Sequence, residues 1–196
     1  MVRLVTSLFA AGLALTALAH AGPADDRFKA LYEKEWAWRE DQFPGQDDED
    51  RESKPTDNRL ADVGAAAESA RLKVWTDVLK QLDAIPVAEL SPENQVNIAV
   101  YRPQIENLAA GIRFRDYEMP FNSDSQFWSD LGFMTRRPLK DEQSVRNYTA
   151  KLDDVPRYFD QQIANMRAGL KRGFTVPRAV LDGRDVSIAS YAEVKS

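Results

Sequence analysis

Residues 90–118 read LSPENQVNIAVYRPQIENLAAGIRFRDYE, and this stretch decides the fold class. Ser91-Pro92-Glu93 is a helix start: a hydroxyl to accept a first-turn amide, a proline where no amide is needed, and an acid beside it. Beyond it Val96, Val100, Leu108 and Ile112 recur at helical spacing and are predicted to face a core. Pro103 lies inside the run and deletes one backbone donor, so a kink near Ala99 is expected. The helix is predicted to end at Glu118-Met119-Pro120.

The same period extends in both directions. Upstream, Asp25 and Asp26 can cap a first helix whose inner side carries Phe28, Leu31, Tyr32, Glu35, Trp36 and Arg39, with Trp38 off that stripe. Pro44-Gly45 ends it, and residues 45–58 (GQDDEDRESKPTDN) read as a long acidic loop. A second helix is predicted from about Asp62 to Ile85, with Val63, Ala66, Ala67, Ala70, Val74, Val78 and Leu82 on its face, widened by Trp75 and Leu79. Downstream, residues 120–140 hold no long period. They mix Phe121, Phe127, Trp128 and Phe133 with short polar side chains, a density of rings that predicts packing against a neighbour. Helical spacing resumes through Val145, Tyr148, Thr149, Leu152, Val155, Tyr158, Phe159, Ile163, Met166 and Leu170, and Gly173 closes it. A last helix restarts at Thr175-Val176-Pro177 and passes through Val180 and Leu181. The expected architecture is all-α: an irregular bundle of five to six helices with a long acidic loop and an aromatic-polar loop.

Composition narrows the chemistry. The 196 residues include no cysteine and a single histidine, His20. That histidine lies in a segment that reads as a secretory signal peptide over residues 1–21, with Arg3 as the basic region and an apolar run from Leu4 to Leu18. Ala19-His20-Ala21 forms the A-x-A cleavage site, with Ala19 and Ala21 as its small residues. Residues 22–196 would then contain neither His nor Cys, which leaves no side chains for His- or Cys-ligated zinc, a cysteine nucleophile, a Ser-His-Asp triad or a disulfide. The run is too short for a membrane span, which needs about 20 residues. No cysteine follows the cleavage point, so no stable membrane anchor is expected after processing. The expected location is the periplasm or the exterior of the cell. Without Arg3 the chain has 25 basic against 31 acidic residues. An acidic surface repels phosphates, so nucleic acid is not an expected partner.

Several constellations weigh against plainer readings. Asp47-Asp48-Glu49-Asp50 lacks the alternating ligands and central glycine of a calcium loop and reads as a solvated loop. Glu33, Glu35 and Glu40 invite a paired-carboxylate reading, but surface acids explain their spacing better. Tyr32, Trp36 and Trp38 resemble a sugar platform less than they resemble core. The best local candidate for substrate binding is the loop carrying Asn122, Ser123, Asp124, Phe127 and Trp128, set against simple turn chemistry for its polar residues. No catalytic residue and no metal ligand is assigned.

Longer words in the sequence carry a resemblance. EWAWREDQFP at 35–44, LSPENQVNIAVYRPQIEN at 90–107, FRDYEMPFNSDSQFWSDL at 114–131 and the block from Tyr148 to Tyr191 resemble the bacterial exported "domain of unknown function 885" family. The resemblance covers nearly all of residues 22–196. It implies longer, near-all-helical proteins similar to zinc metallopeptidases of the HExxH kind, dipeptidyl-carboxypeptidase-like, that act on short peptides. Their zinc helix lies downstream of the matched blocks, so zinc is implied for full-length relatives and no cofactor for this chain. The chain accordingly resembles a non-catalytic N-terminal portion, from a truncation, a frameshift or a fragmentary record. A free-standing periplasmic helical binding or interaction module is the alternative. Apolar faces of the last helices are expected to be exposed.

Overall fold

A computed structural model describes residues 22–44, 54–134, 138–186 and 189. The signal-peptide reading of residues 1–21, with Ala19 and Ala21, and the acidic run 47–50 lie outside the described residues.

Helix α1, Pro23–Gln42, starts as its sequence asks, with Pro23 at the first position and acids behind it. The cap itself is Gly22; Asp25 serves it from inside the first turn by accepting the Gly22 amide at 3.0 Å. Phe28 and Leu31 enter the core as predicted. Trp36 does not: it is 53% exposed, and its indole N–H donates to Glu40 at 3.0 Å on the outer surface. Trp38 turns inward instead and meets Trp75 edge-to-face at 5.8 Å. Both rings fit a helical period, and the partner ring on the next helix selects between them.

Helix α2, Ala65–Asp83, buries Trp75, Val78 and Leu82. Helix α3, Pro92–Phe114, is capped by Ser91, whose hydroxyl accepts the Asn94 amide at 3.3 Å. It continues through Pro103 and ends at Phe114, earlier than its sequence suggests. Arg115 takes the left-handed conformation (φ 59°, ψ 46°), and a 3-10 turn follows at Asp116–Glu118. The predicted inner face also needs correction. Ile98, Ile105 and Ala109 are buried, Leu108 and Ile112 pack beside them, and Val96 and Val100 are 63% and 57% exposed. This helix has two apolar stripes, and periodicity cannot rank them. The inner one carries Tyr101, whose hydroxyl has a buried partner on α1.

These three helices form the first core, closed by Ile85 and Leu90 from the α2–α3 connection. At its centre Glu35 is 2% exposed, so it is not a surface acid. Its carboxylate accepts from Arg39 Nε and Nη2 at 2.8 and 2.6 Å, from Trp75 Nε1 at 2.9 Å and from the Tyr101 hydroxyl at 2.9 Å. Four donors from three helices satisfy a charge that would otherwise be costly to bury. Burial and the Glu35 carboxylate push the Tyr101 hydroxyl well above its ordinary pKa, so it stays a donor.

A short helix α4, Ser129–Met134, precedes α5, Glu142–Lys171, and a single turn α6, Arg178–Leu181, ends the named elements. Asp141 and Ser144 cap α5 reciprocally: Ser144 N donates to the Asp141 carboxylate at 2.6 Å and Asp141 N donates to the Ser144 hydroxyl at 3.1 Å. The described elements are helical, as the sequence predicts. What the sequence does not predict is how α5 lies. Its buried positions include Ser144, Asn147, Gln162 and Asn165, whereas Val145 and Leu152 of the apolar stripe are each 46% exposed and Leu170 is 69% exposed. The helix buries much of its polar face and turns the ends of its apolar stripe outward.

Candidate functional site

The polar face of α5 holds residues 54–64, which form a strap between α1 and α2. Asn147 Nδ2 donates to the Lys54 carbonyl at 2.8 Å. The Leu60 amide donates to Asp154 at 2.8 Å, and Arg157 Nη2 donates to the Leu60 carbonyl at 2.9 Å. Gln161 accepts the Val63 amide at 3.1 Å, and Asn165 Nδ2 donates to the Val63 carbonyl at 2.7 Å. Every one of these bonds joins an α5 side chain to strap backbone, and Gln161 Nε2 adds a bond to the Asp62 side chain at 2.8 Å. Arg157 also pairs with Asp154 at 2.6 Å. Its hydrogen bond is the main reason the Asp154 carboxyl sits below its ordinary pKa.

Against the strap and α5 rests the aromatic-polar loop, forming a second core. Phe127, Trp128 and Tyr158 are buried there, with Leu60, Val63, Phe121, Leu131, Phe159 and Met166 around them. Phe127 stands edge-to-face on Trp128 at 4.9 Å and on Phe159 at 5.2 Å. The expected packing of the aromatic loop against a neighbour is met by α5 and the strap.

Between these parts lies a cleft of about 340 Å³. Phe43 and Pro44 from the end of α1 form one side, and Leu60, Ala61 and Val63 of the strap another. The loop adds Ser125, Gln126 and Phe127, α4 adds Leu131 and Met134, and α5 adds Lys151, Tyr158 and Gln162. An apolar lining with a few convergent polar groups is the usual make-up of a small-ligand site.

The five loop residues singled out from sequence divide. Asn122, Ser123 and Asp124 form a turn: the Asn122 side-chain oxygen accepts the Asp124 and Ser125 amides at 2.7 and 2.9 Å, and Phe121 bridges to Gln126. Arg184 fastens that turn by donating to the Ser123 carbonyl at 2.5 Å. Phe127 is part of the cleft wall, and Trp128 packs against it in the second core. The acids whose spacing invites a paired-carboxylate reading are dispersed: Glu33 pairs with Lys29 at 3.8 Å, Glu40 with Lys54 at 3.6 Å, and Glu35 is buried among α1, α2 and α3. Among the described residues no group of three or more His, Asp or Glu side chains is placed to hold a metal ion.

Sequence reasoning missed the strap, Lys151 and Gln162. One signal was present. Asn147, Asp154, Gln161 and Asn165 recur at helical spacing opposite the apolar stripe, a polar row too regular for a plain solvated face.

An all-α chain with a three-helix core, a second aromatic core and a cleft at the second core's edge is the class this geometry defines. The chain belongs to the bacterial family of proteins of unknown function DUF885, whose profile matches residues 44–195. No curated protein and no solved structure matches it. No helix among the described residues is long and apolar enough to cross a membrane.

Proposed function

We propose that this chain provides one wall of a peptide-binding cleft in an exported protein of zinc-metallopeptidase type, and that it carries no catalytic group of its own. The observation that supports this is the cleft beside the strap, where apolar side chains surround a few amide groups and one lysine. That lining suits a short peptide with apolar side chains better than a phosphate or a sugar. In this reading Phe127 contributes to the wall, Trp128 backs it, and the Asn122–Asp124 turn forms the rim. The zinc chemistry belongs to other parts of such a protein: a metal-bound water needs about three protein ligands and a nearby base. Purified protein incubated with zinc and short peptides is expected to bind them without cleaving them. Zinc-dependent cleavage above a mock preparation would overturn the non-catalytic half of the proposal, and absence of binding the other half.

The alternative is a free-standing periplasmic binding module. The nucleotide sequence after codon 196 separates the two: a stretch encoding HExxH, in frame or shifted, favours the peptidase wall.

A further inference from the structure

The cleft contains a polar group that the fold leaves unused. Five carboxamide side chains lie on α5 between Gln143 and Asn165, and four have partners within the chain. Gln143 and Asn147 bond to each other at 2.8 Å, Asn147 also holds Lys54, and Gln161 and Asn165 hold the strap. Gln162 is the exception. It is 5% exposed, it lines the cleft, and its amide makes no hydrogen bond among the described residues. The amide is not sealed from water: among the described residues the side-chain atoms buried without a partner are Arg71 Nε and Trp128 Nε1, so the Gln162 amide meets solvent through the cleft. The fold makes no use of it, which leaves it available to a group that enters the cleft.

A carboxamide offers a coplanar acceptor and donor. In an extended peptide the N–H and C=O of one residue point the same way and supply the reciprocal pair. One residue of such a peptide therefore satisfies both atoms of Gln162 at once, whereas a carboxylate satisfies only its N–H and an ammonium only its oxygen. The surrounding Leu60, Phe127 and Leu131 accept an apolar side chain on that residue.

We propose that Gln162 is the specificity-determining contact of the cleft, pairing with the N–H and C=O of one extended residue of a bound peptide, a residue whose side chain is apolar. This rests on the peptide reading of the cleft and deepens it. Recognition through an uncharged amide is independent of the peptide's termini and of pH across the neutral range.

The test uses an apolar tripeptide that is acetylated, amidated and dye-labelled, together with its backbone N-methylated analogue. Binding is followed by anisotropy on the wild-type chain, on Gln162→Met and on Gln162→Glu, with the melting temperature of each free protein. The wild type is expected to bind the parent peptide at least tenfold more tightly than the analogue. Gln162→Met is expected to lose at least tenfold in affinity for the parent while melting no lower than wild type, a combination that a purely structural glutamine would not produce. A wild type that binds no peptide overturns the cleft reading and this proposal with it. Parent binding that survives Gln162→Met, or equal wild-type affinity for the parent and the N-methylated peptide, overturns only the role of Gln162. Should Gln162→Met fold poorly, the wild-type comparison of the two peptides decides alone.

Discussion

Asp25 ties the start of α1 to the start of α3. Its carboxylate accepts the Ser91 amide and hydroxyl, each at 3.0 Å, and Asn94 Nδ2 at 2.6 Å, besides the Gly22 amide. These hydrogen bonds, the Asn94 one foremost, hold its carboxyl down to about 2. A depressed carboxyl contributes stability that is fully present above its unfolded value of about 3.9 and is lost as pH falls through the folded value. Urea melts should therefore show the difference between wild type and Asp25→Ala shrinking from pH 5 to pH 2; a difference that stays constant would refute the linkage. Gly169 has the opposite logic, since its side chain is absent for steric reasons. A Cβ there would stand 2.7 Å from both the Glu118 and the Phe174 carbonyl oxygens. Both are backbone atoms and cannot swing aside, so Gly169→Ala is expected to lower stability by roughly 1–3 kcal/mol, the usual range for overpacking. A denaturant midpoint unchanged from wild type would show that the α5 end and the 116–118 turn yield more easily than packed cores do. The sequence marked Asp25 as a capping residue because an acid after Gly-Pro has few other uses. It was silent on Gly169, because the reason for that glycine lies in how the chain folds back at Phe174 and in a turn more than 50 residues away.

Among the elements, α5 departs most from its sequence. Amphipathic patterning assumes that the apolar stripe is the buried one. Here the strap satisfies part of its backbone internally, as at Lys54 and Gly64, and the polar row of α5 supplies partners for Leu60 and Val63. Arg157 is the centre of that attachment, through the Leu60 carbonyl and Asp154. Arg157→Ala should free the strap locally without unfolding the first core. Limited trypsin digestion is the direct measurement: cleavage after the exposed Arg59 should accelerate several-fold while the circular dichroism stays helical. Equal cleavage rates would mean that Gln161 and Asn165 suffice. The ends of α3 were legible to different degrees for a related reason. Its start is written locally in Ser91-Pro92-Glu93. Its end depends on Arg172, the residue after α5, which donates to the Phe114 carbonyl at 3.0 Å and pairs with buried Glu118. Local signals survive in a sequence, and tertiary ones do not announce themselves.

The molecule as a whole has two cores of different construction. The first draws on α1, α2 and α3, and much of its membership was readable; the phase of α1 near Trp36 and of α3 near Val96 was not, nor was the burial of Glu35. Of the predicted α2 face, Val63 lies in the strap while Ala66 and Ala70 are exposed. The second is assembled from segments far apart, and the cleft beside it was correspondingly invisible apart from Phe127. That contrast implies an order of assembly. The α2–α3 pair is joined by a short connection, whereas the strap meets α5 across separations of 93–102 residues. Closing a long loop costs conformational entropy before any contact is made, so local pairs form ahead of distant ones. In pulse-labelled refolding, the Leu60 and Val63 amides should gain protection from hydrogen exchange later than those of α2 and α3. Simultaneous protection would argue for one concerted step. With that order the strap stays undocked until α5 has formed, and the cleft becomes complete only when the last long helix has taken its place.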